Sequence, residues 1–323
     1  MAGVMETRPF RDLDLSVLML GTVQFGLPYG IANKTGQPSP AEVTRIIAAA
    51  AEAGVTALDT AALYGTAEEV LGAALAELGL RDRLTVVSKV AQMADEGISA
   101  RDADRIVEES VTRSLRRLGL ERLPLCLFHL ETNWLRYADS LLRVKEKGLV
   151  LHVGSSVNFP GPARRIIESG AAEAVQMPAS VLDHRFLRQG IPVVARARGT
   201  ALFARSVFLQ GLLLQPEGDM LSEHAAVVPV RRALQDLAAQ GGMSLAELAV
   251  RYLLSLPGIT CLVVGVETEA QLRENAALFR KGPLPGDLAA RVPELVPDLP
   301  DSILYPGSWS KKMPAPDLVT GTP

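Results

Sequence analysis

The sequence has few cysteines, few aromatic residues and little net charge. Its 323 residues include two cysteines, Cys126 and Cys261, both in apolar runs, so we expect neither a disulfide framework nor a zinc site. The formal net charge of −3 argues against a nucleic-acid or anionic-membrane partner. No apolar run reaches about 18 residues, and no signal-peptide pattern is present. We therefore expect a cytoplasmic protein.

Short apolar runs alternate with amphipathic segments along most of the chain. Alternating strands and helices predict a parallel sheet with crossover helices, and eight such units predict a (β/α)₈ barrel. The predicted strands are 17–22, 55–59, 84–89, 123–129, 150–155, 174–177, 200–205 and 260–265. The predicted helices between and after them are 39–53, 67–78, 100–118, 135–147, 160–169 and 268–279.

An open doubly wound sheet is the alternative fold. Against it, the first strand lacks a GxGxxG turn and no helix is expected directly behind it. Residues 183–199 predict a helix that ends at Gly199, and 211–228 predict a long insertion. We expect one domain over 1–323, with the barrel at about 15–281. The proline-rich tail, 282–323, should wrap the surface as loop, and its part past Trp309 is a candidate for disorder.

Polar residues end several predicted strands, at the face where such barrels hold active sites. Asp59 ends the second strand with Tyr64 in its loop, Lys89 ends the third and His129 the fourth. Each alone has a structural explanation, such as a helix cap or a satisfied core histidine. Together they predict a general-acid site, because an ammonium lowers the pKa of a neighbouring phenol and a carboxylate offsets the desolvation of the ammonium.

The sequence contains no sign of a metal or of a serine nucleophile. Its four histidines form no HxxxH pair, and no GxSxG motif occurs. The nucleophile is therefore expected to come from a cofactor, and hydride is the obvious candidate.

The sequence resembles the aldo-keto reductases over residues 18–279. The matching stretches are LGTVQFG, GVTALDTAALYGTAEEVLGAAL, VVSKV and LCLFHLE. The resemblance implies a barrel that binds NADP or NAD without a Rossmann fold, with Asp59, Tyr64, Lys89 and His129 as the catalytic tetrad. It also implies cofactor contacts by Gly21, Thr22, Asp59, Ser155, Ser156, Gln176, Arg205, Ser206, Gly211, Gly265, Glu267, Gln271, Glu274 and Asn275.

Three residues depart from the family pattern. Val157 stands where the family often has Asn, and Arg205 stands where many members have an aromatic ring that stacks on the nicotinamide. Glu267 stands where many NADPH users have a basic or hydroxyl residue. A carboxylate there would repel a 2′-phosphate but accept a bond from a free 2′-OH. We expect weaker discrimination for NADPH and good acceptance of NADH, unless Arg273 compensates.

The resemblance implies NAD(P)H-dependent reduction of an aldehyde or ketone, or the reverse oxidation, with Tyr64 as general acid. The motifs GTVQFGLPYGIAN and ARSVFLQGLL also resemble a bacterial subgroup met beside sugar-processing functions, which favours a sugar-like carbonyl substrate. Two alternatives stay open. One is a non-catalytic nicotinamide-nucleotide-binding regulatory subunit, and the other is a redox-cycling sugar epimerase or lyase.

Substrate choice is expected to reside in the loops that follow the strands. These are residues 27–37, 91–99, 131–135 and 210–223. Phe25 and Trp134 are candidates to line the pocket, with core packing as the alternative. The sequence carries no signal of oligomeric state.

Overall fold

A computed structural model of the chain describes residues 4–33, 35–94 and 96–309. Eight parallel strands close into a barrel, in which each strand pairs with the next and the last pairs with the first. These are β3 (Leu18–Gly21), β4 (Ala57–Asp59), β5 (Thr85–Val90), β6 (Leu123–Phe128), β7 (Val150–Ser156), β8 (Ala174–Pro178), β9 (Ala201–Arg205) and β10 (Ile259–Gly265), preceded by an antiparallel hairpin of β1 (Thr7–Phe10) and β2 (Leu13–Ser16).

Helices cover the outside of the barrel. They are α1 (Val23–Gly26), α2 (Pro40–Glu52), α3 (Ala67–Glu77), α4 (Ala100–Leu118), α5 (Glu131–Glu146), α6 (Pro160–Glu168), α7 (Arg185–Arg188), α8 (Ile191–Arg198), α9 (Val227–Gln240), α10 (Leu245–Ser255), α11 (Glu269–Phe279), α12 (Gly286–Leu295) and α13 (Asp301–Leu304). Single 3₁₀ turns occur at Leu209–Gly211, Glu217–Asp219, Ser222–His224 and Pro306–Ser308.

Local chemistry explains the best-defined helix boundaries. Ser39 and Ser99 cap α2 and α4, because each side-chain oxygen accepts the backbone N–H three residues later. Gly119 ends α4 in the left-handed conformation, with φ of 67°, that favours glycine. Gly199 ends α8 in the same way, with φ of 65°. The predicted bounds of α4 and the predicted helix end at Gly199 are therefore confirmed.

The predicted (β/α)₈ barrel is confirmed, and the open doubly wound sheet is excluded by the closed strand order. One helix begins earlier than the sequence predicts. The helix α5 starts at Glu131 rather than at 135, so residues 131–135 are helix and not a substrate loop. The reason is a kink at Tyr137, with φ of −127°, which interrupts the apolar periodicity and hides the first turns of the helix.

The tail after Gly282 is not the loop that the sequence predicts. It contains α12 and α13, and it buries Val292, Ile303 and Trp309 against the rest of the protein. Prolines at both the start and the interior of α12 obscure its helical spacing in the sequence. The predicted disorder past Trp309 falls on residues outside those that the structure describes.

Two short elements near the N-terminus differ from the prediction. The one-turn helix α1 lies directly behind β3, where no helix is expected. The β1–β2 hairpin is also absent from the prediction. Its Phe10 and Leu15 belong to the apolar cluster that fills the barrel interior. The hairpin covers the amino-terminal end of the barrel and leaves the carboxyl end of the strands open.

None of the helices in the described part of the chain combines the length and apolar character needed to cross a bilayer.

Candidate active site

Each barrel strand places one inward-facing residue at the open end. These residues lie two positions beyond inward-facing members of the interior cluster, such as Val87 before Lys89 and Phe203 before Arg205, and side chains two apart on a strand share a face. In strand order the set, called here the rim layer, is Gly21, Asp59, Lys89, His129, Ser156, Gln176, Arg205 and Gly265. All eight are residues that the sequence predicts for the site.

Asp59, Lys89 and Tyr64 form one hydrogen-bonded cluster in the rim layer. Lys89 Nζ lies 2.7 Å from Asp59 Oδ1, 2.9 Å from Thr60 O and 3.4 Å from Tyr64 Oη. Gln176 Nε2 donates to the same carboxylate oxygen at 2.7 Å. Asp59 and Lys89 are only 3% and 1% exposed, so each charge is compensated mainly by the other rather than by water.

Burial dominates the acidity of Tyr64. Loss of hydration raises the pKa of its phenol above the usual 10.0, although the Lys89 ammonium acts in the lowering direction. The sequence-based expectation of a net lowered pKa is therefore wrong for this arrangement, because desolvation outweighs an ammonium that Asp59 already shares. Burial acts to lower the pKa of Lys89, but the Asp59 carboxylate and the Tyr64 hydroxyl group together leave that pKa raised. Tyr64 is consequently protonated at neutral pH, the form that a proton donor needs.

His129 is a neutral imidazole beside the phenol. Burial lowers the pKa of His129 to about 3, and the charges of Lys89 and Arg205 act in the same direction. Its ring meets the Tyr64 ring edge to face, with centroids 5.7 Å apart and planes at 88°. Its buried Nδ1 has no hydrogen-bond partner among the described residues. This arrangement suits a residue that orients a carbonyl oxygen at the phenol.

A cavity of about 750 Å³ opens above the rim layer, within the usual size of ligand sites. The residues predicted for the site that line it are Gly21, Thr22, Asp59, Tyr64, His129, Ser156, Gln176, Arg205, Ser206, Gly211, Gly265, Glu267, Gln271, Glu274 and Asn275. Two do not line it. Lys89 lies behind Asp59 and Tyr64, and Ser155 is fully buried on the opposite face of β7 from Ser156. The structure therefore places the Ser155 side chain outside the cavity.

Several lining residues are missed by the sequence reasoning. Gln24, Tyr29, Asn158, Gln210 and Tyr305 all face the cavity. Gln210 Nε2 donates to Tyr29 Oη at 2.9 Å across 181 residues of sequence. The substrate loops 27–37 and 210–223 contain two of these residues, but no local pattern signals that the loops meet.

Phe25 and Trp134 pack in the core and do not line the cavity. Phe25 is fully buried, and Trp134 is 3% exposed with its ring against Phe128 at 6.3 Å between centroids. The sequence allows either a pocket-lining or a core-packing role for these two residues, and the structure supports core packing. The polar neighbour Gln24 reaches the cavity instead.

Two backbone N–H groups at the start of α11, one just before it and one at its first residue, already donate to side chains of the protein. The Glu267 N–H donates to Gln271 Oε1 at 2.7 Å, and the Glu269 N–H donates to the carboxylate of Glu42 at 2.8 Å. The Glu269 amide and Arg45 hold the pKa of Glu42 below its usual range. The helix start thus carries an acidic side chain at a position where a bound phosphate would otherwise find a free N–H.

Arg273 forms ion pairs with two acidic residues. Its Nε donates to Glu269 at 2.7 Å, and its Nη2 donates to Glu52 at 3.0 Å. The guanidinium is therefore tied to two carboxylates on the outside of the barrel.

Two features of the cavity fit a nicotinamide dinucleotide. The paired rim glycines Gly21 and Gly265 leave the strands β3 and β10 without side chains there, and a Cβ on Gly265 would collide with the carboxamide of Gln24. Gln24 is 8% exposed, and its Oε1 is buried with no hydrogen-bond partner among the described residues. The Gln24 carboxamide therefore occupies the space over Gly265, and its unpaired oxygen can accept a hydrogen bond from a polar group of a bound cofactor.

Metal chemistry receives no support from side-chain clusters. Within residues 4–33, 35–94 and 96–309, no group of three or more His, Cys, Asp or Glu side chains is arranged to hold a metal ion.

Comparison with known proteins gives one consistent family. The family model described as Aldo/keto reductase family matches residues 17–296. An aldo-keto reductase of Mycolicibacterium smegmatis is 37% identical over 126 residues, which cover 37% of this chain and 41% of that protein. L-glyceraldehyde 3-phosphate reductase of Escherichia coli K12 is 26% identical over 286 residues, or 77% of this chain and 82% of that protein. The holo form of an aldo-keto reductase from Bacillus halodurans matches in fold with a TM-score of 0.76 at 22% identity, covering 91% and 97% of the two chains.

Proposed function

Because the chain belongs to the aldo/keto reductase family, whose members are NAD(P)-dependent oxidoreductases, we propose that it reduces an aldehyde or ketone with Tyr64 as general acid. The observation that carries this proposal is the buried Lys89–Asp59 pair whose ammonium lies 3.4 Å from the Tyr64 hydroxyl. The same residues support the reverse oxidation of an alcohol, with Tyr64 taking back the proton.

Each of the four residues Tyr64, Lys89, Asp59 and His129 has a separate role in the proposed reduction. A nicotinamide cofactor held in the cavity, beside residues such as Ser156, Gln176 and Gln271, would supply a hydride for the carbonyl carbon. Tyr64 Oη donates its proton to the carbonyl oxygen, so that the carbonyl becomes an alcohol and the phenol becomes a phenolate. Lys89 stabilises this phenolate, and Asp59 fixes the position of the ammonium. Neutral His129 orients the carbonyl oxygen at the hydroxyl group.

The regulatory-subunit and redox-cycling alternatives make different predictions in one assay. Sustained consumption of NADH or NADPH with a carbonyl substrate supports the proposal, because a regulatory subunit would consume none and a redox-cycling enzyme would regenerate its cofactor. The intact acid cluster favours turnover. A screen of aldehydes, ketones and sugars with both cofactors, in which none is consumed beyond one equivalent, would contradict the proposal.

We further propose that the enzyme accepts NADH well. Glu267 lines the cavity, Glu42 occupies the Glu269 N–H, and Arg273 is tied to two carboxylates. A 2′-phosphate near this turn would meet like charges, while the Arg273 guanidinium is already bonded to Glu269 and Glu52. A 2′-OH, by contrast, can donate to a carboxylate.

Cofactor titration tests this choice. We expect fluorescence titrations to give dissociation constants for NADH and NADPH that differ by less than about a hundredfold, or about 2.7 kcal/mol. Glu267→Lys should move the ratio toward NADPH, because it replaces the like charge with an opposite one. Glu121→Lys makes the same charge change at an exposed position at the closed end of the barrel and should leave the ratio unchanged. A wild-type preference for NADPH above about a hundredfold would contradict the proposal.

The substrate is proposed to be a sugar-derived carbonyl compound. The motifs around β3 and β9 favour a sugar-derived substrate. The Escherichia coli relative is named as a reductase of L-glyceraldehyde 3-phosphate, which is a phosphorylated three-carbon sugar. Polar groups of Tyr29, Asn158 and Gln210 in the cavity wall suit hydroxyl-bearing substrates.

A further inference from the structure

Arg205 is the rim-layer residue of β9, and its guanidinium is held in place. Nη2 donates to Val157 O at 3.0 Å and to Asn158 Oδ1 at 2.7 Å, and Nη1 donates to Ser206 Oγ at 3.3 Å. Asn158 is itself fixed, because its backbone N and its Nδ2 both donate to the carboxylate of Glu131 at 3.2 Å. The orientation of Arg205 is therefore set by the segments that follow β7 and β9 and, through Asn158, by the first residue of α5.

The charge of Arg205 is not neutralised by direct contact. Its three bonds go to neutral acceptors, and among the described residues no carboxylate lies within ion-pair distance of it. Glu131 reaches it only through the amide of Asn158. The other rim-layer cation, Lys89, is paired with Asp59. Three of the five N–H groups of the guanidinium are occupied by these bonds, which leaves two for a ligand.

The cation stands at the reacting end of the cavity. Arg205, Tyr64 and His129 line the same space, and the field of Arg205 reaches both catalytic side chains, lowering the pKa of His129 and opposing the rise at Tyr64. A carbonyl whose oxygen meets Tyr64 and His129 would therefore lie beside a fixed positive charge.

We propose that Arg205 selects carbonyl substrates that carry an anionic group, a carboxylate or a phosphate, within a few atoms of the reacting carbon. This inference rests on the proposed reduction at Tyr64 and names the substrate class of that site. A guanidinium prefers such groups because it offers directed, charge-assisted hydrogen bonds to their oxygens. Val157, Asn158 and Ser206 position it, so the preference is built into the rim rather than supplied by a mobile side chain.

Matched substrate pairs test the proposal. Glyceraldehyde 3-phosphate is compared with glyceraldehyde, and succinic semialdehyde with butanal, so that phosphate and carboxylate are separated. We expect the wild type to favour the charged member of at least one pair by about tenfold or more in kcat/KM. Arg205→Met should remove that preference, and Arg205→Lys should keep part of it, because the charge remains without the fork. Arg116→Met, at an exposed position on α4, is the control and should change neither pair.

A binding measurement makes the test independent of turnover. Calorimetry on cofactor-loaded protein compares the product alcohols glycerol 3-phosphate and 4-hydroxybutyrate with glycerol and 1-butanol. Binding of an anion that disappears in Arg205→Met supports the proposal even if every carbonyl in the screen fails, which would count only against the proposed reduction. Two results would overturn the proposal and show that Arg205 serves the cofactor. One is that Arg205→Met weakens the binding of charged and neutral alcohols by the same factor. The other is that it weakens the binding of the cofactor and leaves the affinities for the alcohols unchanged.

Discussion

At the scale of single residues, the site depends on a charge pair that the protein keeps almost entirely out of water. Lys89 and Asp59 are held 2.7 Å apart by the ends of neighbouring strands β4 and β5. Each ion would be strongly unfavourable there alone, so each is tolerated only because the other is present. The pair contributes a net charge near zero and a local ammonium at the phenol of Tyr64.

The pair should behave as a unit when its members are removed. Lys89→Met leaves the Asp59 carboxylate buried with Gln176 as its remaining side-chain partner, so we expect a loss of about 3–5 kcal/mol in the free energy of unfolding. The double variant Asp59→Asn/Lys89→Met should lose much less than the sum of the two single variants, because it leaves no buried charge. Denaturant unfolding measures all three.

An exposed pair provides the control for that cycle. Arg105 and Glu109 are 3.1 Å apart on α4 with more than half of each side chain exposed, so Arg105→Met should change stability by less than about 1 kcal/mol. Strictly additive effects of Asp59→Asn and Lys89→Met would contradict the description of the buried pair.

At the scale of elements, the short helix α1 determines where the loop that carries Tyr64 lies. Gly26 packs directly on the loop that carries Tyr64, and a Cβ at this position would overlap Tyr64 O and the Ala67 N–H. Glycine is therefore required at the last position of the GTVQFG motif because any side chain there would clash with this loop. The close approach holds the start of α3 against α1 and fixes the height of the phenol above the rim layer.

A methyl group at Gly26 should displace Tyr64. We expect Gly26→Ala to lower stability by about 1–3 kcal/mol through overpacking. It should lower kcat by about 10- to 100-fold, since small displacements of a catalytic group have large effects. Gly161→Ala, at a glycine with open space around it in α6, is the matched control. Wild-type kcat and melting temperature in Gly26→Ala would show that the loop does not depend on this contact.

Elements with their own caps and apolar period could be predicted from the sequence, and the others could not. The helix α4 has Ser99 at its start, Gly119 at its end and a strong apolar face between them. The β1–β2 hairpin has four-residue strands in which charged and apolar residues mix, so it shows no clear alternation in the sequence. Its apolar residues become buried only because the hairpin covers the amino-terminal end of the barrel. There His152 lies 2.6 Å from Asp12 and 3.0 Å from Glu173, contacts that only the closed fold creates.

At the scale of the whole molecule, the barrel and the polar strand ends could be predicted, but the assembled cavity could not. Strand ends meet in a parallel barrel whatever the loops do, so Asp59, Lys89 and His129 converge by topology. The cavity wall instead combines Tyr29, Gln210 and the tail residue Tyr305, which come from three distant parts of the chain. Their meeting depends on loop packing, such as Gly211 against Ala32, that no local pattern encodes.

The measurement that tests the central claim most directly is the steady-state reduction of an accepted carbonyl by Tyr64→Phe. The phenol is the proposed proton donor, so we expect turnover to fall by about 10²-fold or more while cofactor affinity stays near the wild-type value. Since burial raises the pKa of Tyr64, the wild-type rate of reduction should fall only as the pH rises above about 10, and the variant should lack that limb. Near-normal turnover in Tyr64→Phe, with cofactor still bound, would contradict the assignment of Tyr64 as the acid.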